Sequence, residues 1–522
     1  MSKVVEIEEA GAAQQPRVRK LVWLDRRLLF LATVLVAAVV YYQFDLWKQP
    51  IRGDRANWEY MAQVISRGGV PYRDAVNIKG PLSAYIGAAV IAAARPFGLR
   101  DIYAVRATYF LLAVLTVGFT ALVAFEYFKS YRVALLAALV MSSFNAFAIT
   151  NSAGIQAKTP MILFGVVTIW LIQKDRPLLA GLFAMLSALS WQPGLLFLGA
   201  AGLAFSRYLT GWRDLKVIRL LAGAAIPLAV MLIYFWIVGA LKDFYLWTIH
   251  YNLTVYAPRE SRPAADFFQY IGHMVNEQYK TDRFFFYVAA AGLVFLIAQQ
   301  IRLGAKAGKG YLLDQSRFHA LLIAPLVYFV FCMINVQGDA DFLPFLPFVS
   351  IFAAFALVTA LDSALELLRR ARKGASQEAI RAAAFAAVCL LVFVLNVADA
   401  FSFDRRPPTL DDQQADVREM LSHIEPGDKI FVHGSVEILV ISGMTNASKY
   451  FFMDRGKDVY LANVEPGGFE GWFDRLKAER PKVVALSRFQ VVEHKKDFYD
   501  WVDGEYEQHK GNAISYYLRK AQ

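Results

Sequence analysis

Residues 81–98 read PLSAYIGAAVIAAARPFG, and how this stretch is threaded decides the architecture. It is apolar enough to pass for a membrane span. As a span, it would put the basic loops at Lys129/Arg132, Lys174/Arg176, Arg207–Arg219, Arg302–Arg317 and Arg369–Arg381 outside the membrane. That inverts, in five loops at once, the excess of Lys and Arg carried by cytoplasmic loops. Treated as a helix at or dipping into the interface, 81–96 returns all five to the cytoplasm. We adopt this second reading.

The rest of the chain agrees with a membrane setting. Of 522 residues, 57% are hydrophobic and 14% aromatic. Apolar runs at 107–125, 220–240, 284–301, 342–361 and 382–398 match or approach the length needed to cross ~30 Å of hydrocarbon. The expected fold is therefore a polytopic α-helical membrane protein. The two cysteines, Cys332 and Cys389, lie inside apolar segments, so no disulfide is expected. The apolar segment 28–46 is too long for a signal-peptide core and lacks a small-x-small cleavage site, so it reads as a retained helix. The net charge of +11 gives no reason to expect nucleic acid, because most Lys and Arg flank apolar segments.

Taken in order, residues 1–27 form a polar cytoplasmic segment ending in the basic flank RVRKLVWLDRR. A transmembrane region follows over 28–400. Its spans are expected near 28–46, 105–126, 133–150, 159–173, 178–191, 193–206, 219–240, 284–301, 319–336, 342–361 and 382–400. These make about eleven and put the two termini on opposite sides. The pair joined by Trp191-Gln192-Pro193 stays open as one broken helix, which would change that parity. Two long external loops remain, 47–104 and 241–283; the second is rich in Tyr and Trp and suits short helices along the interface. From about 401 the composition turns soluble. Strands near 429–433, 482–486 and 514–518 alternate with helices near 410–423 and 468–480, predicting a periplasmic α/β domain over 401–522. No internal repeat suggests the inverted halves of transporters.

Within the first external loop, residues 51–81 read IRGDRANWEYMAQVISRGGVPYRDAVNIKGP. Asp54, Glu59 and Asp74 stand beside Arg52, Arg55, Arg67, Arg73 and Lys79, with Trp58, Tyr60 and Tyr72 among them. Charge of both signs is costly beside lipid, and this mixture suits an anionic, partly apolar ligand.

The run Gly53-Asp54, Trp58-Glu59-Tyr60, Ala62-Gln63, Pro71-Tyr72-Arg73-Asp74, Asn77-Ile78-Lys79-Gly80-Pro81 and Phe97-Gly98 to Arg106 resembles the first external loop of GT-C superfamily glycosyltransferases. The bacterial branch it resembles includes protein mannosyltransferases, lipid A aminoarabinose transferases and galacturonosyl transferases of rhizobial lipopolysaccharide. The resemblance implies a catalytic aspartate at Asp54 and a donor-phosphate contact at Lys79. It also implies a polyprenyl-phosphate-sugar donor, a lipid, glycan or protein acceptor in the cell envelope, and a bacterial inner membrane. There are departures. The family often has Asp-Glu where this chain has Asp54-Arg55, and Lys-Pro-Pro where it has Lys79-Gly80-Pro81. The external turn after the third span usually offers an acidic residue, whereas here it reads Gln156-Ala157-Lys158. Without that carboxylate a hard divalent cation lacks oxygen ligands, so metal-independent chemistry and no cofactor are expected.

Sugar transfer from a polyprenyl phosphate needs cations for the charge developing on the phosphate and one base for the acceptor hydroxyl. A single carboxylate serves an inverting displacement; a covalent route needs a nucleophile and a separate acid/base. Asp54 is the candidate base, with helix capping as the plainer role. Lys79 is the phosphate contact, with snorkelling to a headgroup as its alternative. Further candidates for substrate contact are Arg55, Glu59, Asp74, Arg259, Arg262, Tyr251 and Asp341. Plainer roles are open for several of them. Glu59 could partner a nearby arginine, and Asp74 could cap its turn. Arg259 and Arg262 could pair with lipid phosphates, and Asp339 and Asp341 could belong to a solvated loop. His433-Gly434-Ser435 is a strand end, not a nucleophile elbow. The rival function is a transporter or flippase of a lipid-linked glycan. It would carry ionisable residues at mid-membrane, whereas here charge crowds the span ends and loops.

Overall fold

The computed structural model describes residues 16–206, 215–260, 264–279, 282–307, 315–336, 338–371, 377–402, 408–487 and 493–520. Four helices frame the first external loop: α1 (Pro16–Tyr42), α2 (Asp54–Ser66), α3 (Leu82–Ala94) and α4 (Asp101–Phe128). At 13 residues, α3 is about 20 Å long, too short to cross the hydrocarbon core.

Ion pairs bear on the threading of this region. Glu126, at the far end of α4, accepts Lys174 at 2.6 Å and Lys129 at 2.8 Å, and lies 3.5 Å from Arg26, the eleventh residue of α1. The N-terminal half of α1 and the end of α4 therefore lie together at one end of the bundle. Two crossings between them allow this; a third, through α3, does not. Arg132 pairs with Asp362 at 2.6 Å, Lys216 with Asp175 at 2.8 Å and Arg381 with Glu366 at 3.7 Å, which carries these three cations to that same end.

A helix stands at each expected span. Among the described residues, five are long and apolar enough to cross a membrane: Asp101–Phe128, Leu215–Ile237, Arg283–Ala307, Ala340–Leu368 and Glu378–Phe401. Tyr131–Ser143 and Asn145–Ser152 are apolar and long enough to cross only when taken together, and they meet at a 70° bend at Phe144, the geometry of a broken span or a re-entrant loop. Of the remainder, α1 has 27 residues, whereas others, including Lys158–Gln173 and Phe318–Ile334, are shorter, so the structure does not bear out eleven full crossings. Pro177–Ser190 and Leu195–Phe205, with 14 and 11 residues, are each too short to cross alone and are separated by the turn Gln192–Gly194. Many apolar helices in this arrangement make the chain a multi-pass membrane protein. The segment 241–283 is a chain of short helical pieces, with π-helical turns at Leu246–His250, Asn252–Tyr256 and Met274–Gln278.

The C-terminal part forms a four-stranded sheet in the order β1-β2-β4-β3. Its strands are β1 (Ile430–His433), β2 (Val483–Leu486), β3 (Tyr506–Lys510) and β4 (Ser515–Arg519). β1 and β2 are parallel, and the other two pairings are antiparallel. Helices Leu410–Leu421 and Gly468–Ala478 lie close to the expected positions. β3 was not expected: its Tyr-Glu-Gln-His-Lys run is polar and buries only Tyr506 fully, as suits an exposed sheet edge. The sheet region packs on the first external loop. Gln413 accepts the Ile51 N–H and donates to the Ile51 carbonyl, both at 2.9 Å. The Val76 N–H donates to the Lys449 carbonyl at 3.0 Å.

Candidate active site

Asp54 is the first residue of α2, preceded by Gly53 with φ 56°, a left-handed turn that glycine makes without strain. No side chain caps this helix start. The Asp54 carboxylate Oδ2 accepts from Lys79 Nζ at 2.8 Å. The Lys79 ammonium beside it holds the Asp54 carboxyl well below the usual range, outweighing partial burial.

Lys79 is delivered by a tightly pinned strand of loop. Asn77 Oδ1 accepts from the Ile78 N–H at 2.7 Å and the Lys79 N–H at 3.3 Å. The Tyr72 hydroxyl donates to the Lys79 carbonyl at 2.7 Å. Gln192 and Asn252 donate to the Ile78 carbonyl at 2.8 and 2.7 Å. Asn252, which with Thr254 spells an Asn-x-Thr sequence, is therefore spent inside the fold. Asn446 likewise is buried and bonds both Val432 and Ser448.

A cavity of about 220 Å³ opens in front of the Asp54–Lys79 pair. Lys158, the first residue of helix Lys158–Gln173, enters it from the bundle, 3.2 Å from Asp341 Oδ1 and 4.2 Å above the Trp191 ring. The C-terminal part supplies the opposite wall with Phe451, Phe452, Asp454, Arg455 and Lys457. Lys457 pairs with Asp454 at 3.0 Å, and Arg455 donates to the Tyr256 hydroxyl at 3.1 Å. Three carboxylates and four cations thus line one space: Asp54, Asp341 and Asp454 with Lys79, Lys158, Arg455 and Lys457. Each carboxylate is paired with a lysine, which leaves positive charge in excess for an anion.

The structure brings Asp54, Lys79 and Asp341 together and sets the other expected residues apart. Glu59 and Arg55 lie behind the cavity. Glu59 is 2% exposed, with Gly154 so close that a Cβ there would meet Glu59 Oε1 at 2.3 Å. Burial pushes its carboxyl up to about 7, against the pull of Arg106 and Arg55. Arg106 itself ties down the Leu46, Trp47 and Gln49 carbonyls at 2.6–2.8 Å. Asp74 accepts from the Val70 N–H at 2.7 Å and pairs with Arg73 at 3.3 Å, closing its own turn. The Tyr251 hydroxyl donates to the Arg455 carbonyl at 2.8 Å, behind the cavity wall. Arg259 pairs with Glu493 at 3.0 Å, and Arg262 lies outside the described residues.

Three charged cavity residues were not singled out from the sequence: Asp454, Arg455 and Lys457. Their signal was the run Met-Asp-Arg-Gly-Lys at 453–457, a charged turn that resembles any solvated loop until it is folded against the bundle. Lys158 was read as a missing carboxylate rather than as a cation in its own right.

Residues 68–233 match the family described as DolP-mannose mannosyltransferase. Among solved structures, the chain is similar to ArnT from Cupriavidus metallidurans bound to undecaprenyl phosphate, at 13% identity with a TM-score of 0.60, over 95% of this chain and 98% of that one. It is also similar to the oligosaccharyltransferase AglB from Archaeoglobus fulgidus, in complex with an inhibitory peptide and a dolichol-phosphate. There the identity is 13% and the TM-score 0.54, over 94% of this chain and 74% of that one. No curated protein sequence matches the chain. The fold shared across these lengths is that of the GT-C glycosyltransferases.

Proposed function

We propose that this chain, built on the GT-C fold, transfers one sugar from a polyprenyl-phosphate donor to an acceptor hydroxyl at the outer face of a bacterial inner membrane. The observation that carries the reading is the pairing of Asp54 with Lys79 at the mouth of a cation-rich cavity beside the apolar bundle. Basic loops gathered at the opposite end of the bundle support a periplasmic position for this cavity and for the domain over 401–522.

The chemistry follows from the charges. In the resting site Lys79 holds Asp54 ionised and occupied. A donor phosphate competes for the Lys79 ammonium, and the freed carboxylate regains basicity as its cation is shared. The acceptor oxygen then attacks the anomeric carbon as its proton passes to Asp54. The bond between that carbon and the phosphate oxygen breaks, and polyprenyl phosphate leaves with the electron pair. Lys79, Lys158 and Arg455 neutralise the charge that accumulates on it. With one carboxylate poised as base, the displacement inverts the anomeric centre. The ammoniums already paired with Asp54, Asp341 and Asp454 favour a metal-independent route, because a divalent cation would have to displace one of them.

The test is transfer of radiolabelled sugar from a polyprenyl-phosphate donor by the purified full chain. Asp54→Asn is expected to lower transfer by about 10²–10⁴-fold while donor binding persists, and Lys79→Ala to weaken donor binding. Unchanged transfer by Asp54→Asn would remove the base from the scheme. A flippase would instead move the labelled donor across vesicles without consuming it.

A further inference from the structure

At the end of α2 away from Asp54 lies a second cavity, of about 390 Å³. Arg67 follows α2, Arg100 precedes α4 and Arg418 stands on helix Leu410–Leu421; all three line this cleft. They are exposed, and among the described residues none of the three guanidiniums has a hydrogen bond or an ion pair. The one carboxylate in the lining, Asp101, is already held by Arg95 at 2.8 Å and accepts from Gln63 at 3.3 Å. Gly443, with φ 70°, lies beside Arg67 in the lining. Three uncompensated guanidiniums converging on one concavity are a receptor for an oxyanion, since each offers a planar fork of donors to phosphate.

What stands beside the cleft identifies the source of that phosphate. The turn from Arg95 to Arg100 projects Phe97, 81% exposed, and Leu99, 57% exposed, on either side of Gly98 at φ 71°. The Arg95–Asp101 pair closes the base of this turn, so both side chains are held outward. The turn joins α3 to α4 where the chain leaves the apolar bundle. A soluble anion makes no use of two projecting apolar side chains there, whereas acyl chains do.

We propose that the cleft of Arg67, Arg100 and Arg418 holds the anionic, phosphate-bearing headgroup of a membrane lipid, with Phe97 and Leu99 packed against its acyl chains. The site is separate from the transfer cavity, because the 13 residues of α2 set the two about 20 Å apart. The inference therefore stands independently of the transfer reading. Electrostatic attraction of anionic lipid to clustered arginines at a bilayer surface supplies the affinity.

The test is native mass spectrometry of the full chain in neutral detergent, titrated with phosphatidylglycerol or phosphatidylcholine, with inorganic phosphate as competitor. The tightest phosphatidylglycerol adduct is expected to weaken at least tenfold in Arg67→Gln/Arg100→Gln/Arg418→Gln. It should weaken several-fold in Phe97→Ser/Leu99→Ser and be unchanged in Lys495→Gln/Lys510→Gln. A triple Arg→Lys variant, which keeps the charge, should retain part of the binding and serves as the test should the Gln variant fail to fold. The proposal is overturned if the Gln variant binds like the wild type, or if the Arg→Lys variant binds no better than it. Equal loss in the Lys495/Lys510 control, or equal binding of phosphatidylcholine, overturns it too. Displacement by inorganic phosphate, with no effect of Phe97→Ser/Leu99→Ser, assigns the cleft to a soluble anion and also overturns it.

Discussion

Glu59 sits five residues beyond Asp54 on the same helix, yet the two carboxyls have been pushed in opposite directions. Lys79 keeps Asp54 ionised, whereas burial raises Glu59 to about 7. The second shift has a consequence for stability. A carboxyl raised in the folded state binds more protons folded than unfolded between its ordinary value and about 7, so its contribution to stability falls as pH rises through that window. Replacing Glu59 by Gln removes the cost of ionising a buried group. The variant is therefore expected to gain roughly 2–3 kcal/mol relative to wild type between pH 5 and pH 8. Thermal midpoints of both proteins at the two pH values check this; a gap that does not change with pH would show that Glu59 is ionised throughout. From the sequence, the charge density of the 51–81 stretch and the candidacy of Asp54 and Lys79 were legible. Which of Asp54, Glu59 and Asp74 faces the cavity was not, because all three sit in one loop and differ only in what packs against them.

At the scale of elements, the reading of α3 as an interfacial helix rests on charge placement over five loops, which constrains it more tightly than its own composition does. The ion pairs around Glu126, which bring α1 and the end of α4 together, agree with that reading. The loop that delivers Lys79 depends on an approach no sequence pattern records. A Cβ on Gly80 would stand 2.1 Å from the Leu189 carbonyl oxygen, near the end of helix Pro177–Ser190. Gly80→Ala must therefore move either the loop or the helix end. It is expected to cost about 1–3 kcal/mol and to lower transfer at least tenfold, because Lys79 shifts with its neighbour. Thermal melting and donor KM measured together test this; a variant with wild-type values of both would mean that the contact relaxes freely. The same approach gives a physical reason for glycine at this point of the Lys79-Gly80-Pro81 run.

For the whole molecule, the cavity is complete only where the C-terminal part closes over the first external loop. Gln413 stitches the two by pairing with both backbone groups of Ile51. Gln413→Ala leaves a buried donor and acceptor unsatisfied, at an expected cost of roughly 2–4 kcal/mol. Since the wall carrying Arg455 shifts with it, donor KM should rise more than kcat falls; steady-state kinetics on the variant decide, and an unchanged KM would detach the stitch from the site. The sequence by itself determined the helices, the composition change near 401 and the candidacy of Asp54 and Lys79. Each of these is written in local composition or in charge counted along the chain. Only the tertiary structure decided that Lys158, Arg455 and Lys457 meet Asp54 and Lys79 in one cavity. Such a meeting depends on which surfaces pack together across hundreds of residues, and a side chain's partners at that range leave no periodicity to read.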